Sequence, residues 1–265
     1  MFLVFEQTEV HNLSKVNCNI FKEVVIMDGY DIEKFESIKK AAEQGDVEAQ
    51  YSLGKSYYKD IPSYYDDIEA FRWLEKAANQ DHVDAQFQVG IMCFRGTGTR
   101  QDEARAVNWY KKAANQGHAN AQYFLADRFY NGIALEQSYI KAFEWCQKAA
   151  NQNLVEAQID LGDMYKDGKG VEQDYAKAFE WYQKAVDFDD PKAKALIAEM
   201  YCHGKGVEQD YTKAFEWYQK AANQADVNGL AGLGWMYYNG KGVSRNRTEA
   251  FRLYTKAVDV GEIPF

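Results

Sequence analysis

The sequence predicts an all-α protein, an α/α solenoid of helix-turn-helix repeats, and three observations carry that reading. One unit recurs six times in a fixed 36-residue register, opening at Ala49, Ala85, Ala121, Ala157, Ala193 and Gly229 with no insertion or deletion. A period of that size marks stacked helical repeats. The apolar residues inside each unit follow helical spacing. Each unit also carries a cap residue where its second helix should begin, three carry one where the first begins, and five carry a glycine where the first should end. Repeat arrays are held by neighbour-on-neighbour packing and present an extended surface, so the pattern points to binding rather than to chemistry.

The first helix of each unit has apolar residues at unit positions 1, 5 and 9, such as Ala157, Leu161 and Tyr165, or Ala49, Leu53 and Tyr57. Position 6 is Gly54, Gly90, Ala126, Gly162, Ala198 or Gly234, small enough for a second helix to approach closely. Asp46, Asp190 and Asp226 stand where an N-cap belongs, and Pro191 follows at a first helical position. Gly96, Gly132, Gly168, Gly204 and Gly240 suit the left-handed residue that ends a helix. The second helix opens at Asp66, Asp102, Ser138, Asp174, Asp210 and Asn246, all preferred N-cap residues. Glu69 and Glu249, three residues on, would complete capping boxes. The helix then buries Ala178, Phe179, Trp181, Tyr182, Ala185 and their equivalents, with the row Trp73, Trp109, Trp145, Trp181 and Trp217 expected as stacked core.

These residues resemble a known family. The pattern A-x3-L-G-x2-Y-x2-G-x-G-V-x2-D-x2-K-A-x2-W-Y-x-K-A-A is that of the Sel-1-like repeat, a relative of the tetratricopeptide repeat. It covers six full units, 49–84, 85–120, 121–156, 157–192, 193–228 and 229–265, and residues 31–48 supply a partial, capping unit. The resemblance implies a right-handed superhelix, an adaptor role, and first helices lining a concave face. The first copy departs from the pattern with Lys-Asp-Ile-Pro-Ser at 59–63, and the third with Gly132-Ile-Ala. The fourth and fifth copies are nearly identical over 168–185 and 204–221, differing only at Ala176 and Thr212, which suggests duplication. Residues 1–30 match no part of the unit, so a working start at Met27 and weak order before it are expected. At the other end, no further first helix follows to cover Phe251, Tyr254 and Ala257.

The absence of a Pro/Gly/Ser linker favours one solenoid over two globular domains. The net charge is −9, a poor match for nucleic acid or an anionic membrane. No stretch approaches the apolar length of a membrane span, and MFLVFEQTEV lacks the basic start of a signal peptide. Cys18, Cys93, Cys146 and Cys202 fall at unrelated unit positions, unlike the cysteine pair that some secreted bacterial relatives carry in each repeat. Free thiols and a cytoplasmic, bacterial protein are therefore expected. Cys93, Cys146 and Cys202 replace an apolar or aromatic residue of the unit and read as buried small hydrophobes.

No catalytic or metal site and no cofactor emerges. Gly-Lys-Gly at 168–170 and 204–206 follows a helix and lacks a Ser or Thr after the lysine, so it reads as an inter-helix turn and not a phosphate loop. His82 and His118 share one unit position without further ligands near them and are expected as solvated residues at helix starts. One surface stands out. Unit positions 3, 7 and 10 form a face apart from the core stripe, and in related repeats that face lines the groove. It reads Tyr51, Lys55, Tyr58; Phe87, Ile91, Phe94; Tyr123, Asp127, Tyr130; then Ile159, Asp163, Lys166; Ala195, Glu199, Cys202; and Ala231, Trp235, Tyr238. Early copies offer aromatic anchors and later ones carboxylates, which suits a protein or peptide partner with apolar anchors and some basic residues. The other reading of the same face is that its aromatics pack against the next repeat. The function expected is a non-enzymatic adaptor. The alternatives are an immunity or regulatory protein that neutralises a specific effector and, remotely, a hydrolase like the relatives described as β-lactamases.

Overall fold

The structure, a computed structural model, describes residues 32–59 and 64–261. Thirteen helices and no strand occur among them: α1 (Ile32–Glu43), α2 (Val47–Lys59), α3 (Tyr64–Asn79), α4 (Val83–Arg95), α5 (Glu103–Asn115), α6 (Ala119–Asn131), α7 (Tyr139–Ala150), α8 (Val155–Asp167), α9 (Tyr175–Val186), α10 (Pro191–His203), α11 (Tyr211–Asn223), α12 (Val227–Asn239) and α13 (Arg247–Gly261). The chain is an all-α repeat solenoid. It divides into two compact units, residues 1–109 and 110–265, with the boundary inside α5. In the first unit α1, α2 and α3 pack in sequence around Ala42, Leu53 and Trp73, and α4 packs on α3. In the second, each of α6 to α13 packs on the next, and α10 also meets α12, the first helix of the following repeat. The segment 1–26 and the start at Met27 lie outside the described residues, as does the turn at 60–63.

Local chemistry explains where the helices begin and end. Asp46, Asp190 and Asp226 accept from the backbone N–H of Ala49, Ala193 and Gly229 at 2.7, 2.8 and 2.6 Å. Asp102, Ser138, Asp174, Asp210 and Asn246 cap the second helices in the same way. Gly96, Gly132, Gly168, Gly204 and Gly240 take the left-handed conformation, φ 64 to 74°. The second glycine of the turn matters for a different reason. At Gly170 a Cβ would lie 2.0 Å from the Tyr139 carbonyl oxygen of the preceding repeat. The third copy keeps this turn with Ala134 at φ 55°, a conformation costly for any residue with a Cβ.

Several expectations need correction. His82 and His118 are not solvated bystanders: each accepts from a backbone N–H, of Ala85 and Ala121, through Nδ1 at 3.2 Å, so both are N-caps. The His82 side chain is only 14 % exposed. The capping box at Glu249 does not form. The Asn246 N–H already donates to the Tyr237 carbonyl at 2.9 Å, and Glu249 turns to Arg252 at 2.6 Å. Glu69 likewise takes Arg72 at 3.1 Å. The Trp row is only partly core. Trp73 and Trp109 are buried, but Trp145, Trp181 and Trp217 are half-buried. Lys148, Lys184 and Lys220 lie over these three rings at 3.6 to 4.0 Å from the centroid, as lysine stems do on partly wet aromatics. The fully buried aromatic is the next residue, as at Tyr110 and Tyr182. At the last helix Phe251 and Tyr254 are exposed, whereas Ala257 is buried in the cluster with Leu230 and Leu253; residues 262–265, one candidate to cover that surface, lie outside the described residues.

One recurring device was not foreseen. Glutamine at unit position 2 is buried and donates to the carbonyl eight residues before it, Gln50 to Ala42 and Gln122 to Ala114. Its carbonyl oxygen accepts from the glutamine that ends the repeat, Gln80 or Gln152. These paired amides tie the repeat's last turn to its first helix and satisfy groups that burial would otherwise penalise.

Candidate functional site

The face at unit positions 3, 7 and 10 is best defined in the second unit. A cavity of about 230 Å³ opens between α6, α7 and α8, lined by Tyr123, Asp127, Tyr130, Cys146, Asp160 and Asp163 among others. Its origin lies in the repeat register. At unit position 26, where Cys146 stands, the neighbouring copies have Tyr110, Tyr182, Tyr218 and Tyr254. Each such ring in the second unit's later repeats is seated against a glycine. A Cβ on Gly162 would lie 2.4 Å from Tyr182, on Gly232 2.3 Å from Tyr218, and on Gly234 3.1 Å from Tyr254. In the third copy the tyrosine is a cysteine, the residues in register with Gly162 and Gly232 are Ala126 and Asp160, and space is left open beside the smaller side chain.

The cavity walls are polar as well as aromatic. Tyr123 donates through its hydroxyl to Asp160 Oδ2 at 2.8 Å. Asp163 Oδ1 accepts from the Tyr182 hydroxyl at 2.7 Å and from Lys166 Nζ at 2.6 Å. Asp127 is held by Asn131 at 2.7 Å and Arg128 at 3.1 Å. The Tyr130 hydroxyl meets Lys169 Nζ, on the turn after α8. Burial pushes the Asp160 carboxyl above the ordinary carboxylate range, and the charges of Asp163 and Asp127 push it the same way against the Tyr123 hydrogen bond and the Lys192 charge. Burial also keeps the Cys146 thiol protonated.

Two repeats further on, the same geometric position holds a second cavity, about 290 Å³, between α10, α11 and α12 and lined by Glu199, Cys202, His203, Tyr218, Gly232 and Trp235. Here Trp235 is 40 % and Tyr238 is 47 % exposed. Burial, and then Glu199, push the Cys202 thiol up to about 11.

The structure thus brings Tyr123, Asp127, Tyr130 and Asp163 together, and places Glu199 with Trp235 in a separate pocket. Ile159 and Ala195, at position 3 of later copies, are buried and belong to the packing rather than to the face, while Cys202, also buried, lines the second cavity. In the first unit, Tyr51 stacks on His82 with centroids 4.2 Å apart, and Lys55 Nζ sits 5.2 Å over the Tyr51 ring. Tyr58, Phe87, Ile91 and Phe94 are half-buried and Lys55 is exposed. Asp160 was missed because it sits at unit position 4, outside the expected face. The loss of a tyrosine at Cys146 was visible in the sequence, but its consequence, an open cavity, needed the packing. Among the described residues there is no disulfide at Cys93, Cys146 or Cys202 and no cluster of metal-ligating side chains. None of their helices is long and apolar enough to cross a membrane.

Comparison with known proteins accords with this architecture. The Sel1 repeat profile matches residues 47–82, 83–118, 119–154, 155–187, 191–226 and 227–261. The chain is similar to the crystal structure of c5321, a protective antigen present in uropathogenic Escherichia coli strains displaying an SLR fold, with 34% identity over 86% of this chain, a TM-score of 0.79, and 49% of that protein covered. The chain therefore spans about half the length of that relative. It is also similar to a Sel1 repeat protein from Oxalobacter formigenes, with 28% identity over 80% of this chain and 86% of that one and a TM-score of 0.74. The likeness to immunity protein Pa5087 from Pseudomonas aeruginosa is looser, 16% identity over 81% of each chain with a TM-score of 0.44, and carries no functional argument. No curated protein matches the sequence. Sel1 repeat proteins generally mediate protein–protein interaction and are typically non-catalytic. With six matched repeats spread over most of its length, the chain belongs to the Sel1 repeat family.

Proposed function

We propose that the chain is a non-enzymatic interaction module that takes a protein or peptide partner on the face built from unit positions 3, 7 and 10 of its first helices. The observation that carries this reading is the half-open face of the second unit. There Tyr123 and Tyr130, half-buried against the core, line a cavity with Asp127, Asp160 and Asp163, and Trp235, 40 % exposed, lines another with Glu199. Rigid aromatics next to charged groups are the usual anchors of protein recognition. Tyr51, Lys55, Tyr58, Phe87, Ile91 and Phe94 form a comparable stretch in the first unit. The partner's contribution is apolar anchors with some basic residues.

The test is affinity capture from the cells that make the chain, followed by titration of the purified partner against wild type and against Tyr130→Ala and Trp235→Ala. The reading expects each variant to fold and the pair together to weaken binding by more than tenfold, a change of about 1.4 kcal/mol. Undiminished binding by the double variant would overturn the assignment of the face.

A further inference from the structure

We infer that the cavity between α6, α7 and α8 is a socket for one arginine side chain of the partner, an assignment that rests on the binding face proposed above. The first argument is space. Four of the other copies place a tyrosine at this position and the first places Leu74, whereas here Cys146 opposite Ala126 leaves about 230 Å³ between packed helices. Buried Tyr110 and Tyr182 show the ring that fills the position in two of those copies, while beside Tyr218 a pocket of about 290 Å³ remains. A planar group entering from outside replaces a planar group that the register omits.

The second argument is the lining. Asp160 Oδ1 and Asp163 Oδ2 accept no hydrogen bond from the described residues, while the other oxygen of each carboxylate is fixed, by Tyr123 and by Tyr182 with Lys166. Two carboxylates that line the cavity thus each keep one oxygen able to accept from an entering donor. A guanidinium, with five donors in a rigid fork, matches such a set better than the single point charge of a lysine ammonium. Tyr123 supplies ring surface beside which the same flat cation can lie, whereas Lys169 Nζ already sits 4.9 Å over the Tyr130 ring. Three local cations are already paired, Arg128 with Asp127, Lys166 with Asp163 Oδ1 and Lys169 with the Tyr130 hydroxyl, and the Lys192 charge acts on Asp160 without a direct ion pair to it. Burial raises the Asp160 carboxyl first, and the smaller repulsion from Asp163 and Asp127 that adds to it is relieved when a cation enters.

The experiment titrates the isotope-labelled full chain with N-acetyl-arginine methylamide, followed by two-dimensional amide NMR. The controls are the lysine analogue and the citrulline analogue, which keeps the shape of arginine and lacks its charge. Saturable shifts are expected at residues 123, 127, 130, 160 and 163, with the lysine analogue weaker and citrulline without effect. Two variants make the result decisive. Ala126→Gly with Cys146→Tyr transplants the fourth copy's own filling into the third, so it should fold, which a melting curve checks, and it should abolish the shifts. Asp160→Asn keeps the cavity and should weaken arginine about tenfold, the scale of one charge-assisted hydrogen bond. Absence of saturable shifts, equal response to citrulline, or undiminished arginine binding by the filled variant would overturn the socket. A partner that still binds the filled variant but not the Tyr130→Ala, Trp235→Ala double variant would remove the socket and leave the interaction face in place.

Discussion

Replacing Phe188 by glutamine should stabilise the protein, although it removes an aromatic ring. In copies one and three the buried glutamine at position 2 is answered by the repeat's closing glutamine. Gln80 donates to Gln50 Oε1 at 2.9 Å, and Gln152 donates to Gln122 Oε1 at 2.8 Å and to the Gly117 carbonyl at 2.8 Å. In the fourth copy that closing position is Phe188. Gln158 is 1 % exposed, its Nε2 reaches the Ala150 carbonyl at 3.4 Å, and its Oε1 is buried without a hydrogen bond. A glutamine at 188 would donate to that oxygen and, by register, to the Asn153 carbonyl. Satisfying one buried acceptor is worth about 1–3 kcal/mol. The ring at 188 is 52 % exposed, so removing it forfeits about half of a buried phenylalanine's contribution, on the order of 1 kcal/mol. The balance is a gain of about 1 kcal/mol, or a rise in melting temperature of roughly 2–4 °C for a cooperative unit of this size. Calorimetry of Phe188→Gln measures it, and Gln152→Phe is the mirror control, expected to destabilise by orphaning Gln122. If Phe188→Gln lowers the melting temperature while Gln152→Phe leaves it unchanged, the paired-amide reasoning is wrong.

Further outcomes follow from the same packing. Tyr182→Ala should cost about 3–5 kcal/mol, as large buried truncations do, and Trp181→Ala clearly less, since its ring is half-buried under Lys184; urea unfolding ranks the two. Ala134→Gly should stabilise by about 1 kcal/mol by relieving a left-handed alanine at φ 55°. The Cys202 thiol, pushed up to about 11 from an ordinary 9.0, binds its proton more tightly folded than unfolded. Its contribution to stability is therefore complete below pH 9 and lost as pH rises toward 11. Site-resolved alkylation of Cys202 should remain slow at neutral pH and accelerate only in strong base.

Much of the fold was legible because it repeats. The position-18 caps, the C′ glycines and the alanine stripe each rest on backbone geometry that recurs every 36 residues, so one unit read correctly gives the others. Expectations failed where a side chain had two chemically reasonable partners. Glu249 could reach back to the Asn246 N–H, but the Tyr237 carbonyl, from the helix before, already holds that group. His82 and His118 look like surface residues until the local backbone supplies an N–H for Nδ1. The site was less legible than the fold. Tyr123, Asp127, Tyr130 and Asp163 could be placed on one face by spacing, yet the cavity they line depends on a tyrosine that is missing at Cys146 and on Asp160 from the next repeat. Both are properties of an interface between units, which the pattern of a single unit does not contain.

The claim that partners dock on the first-helix face is tested most directly by site-specific photocrosslinking to the captured partner. Benzoylphenylalanine is placed singly at Tyr130, Glu199 and Trp235 on α6, α10 and α12, and at Glu144, Glu180 and Glu216, exposed on the second helices α7, α9 and α11. The account expects crosslinks from the first set and none from the second. Crosslinks confined to Glu144, Glu180 and Glu216 would place the partner on the opposite helices and contradict it.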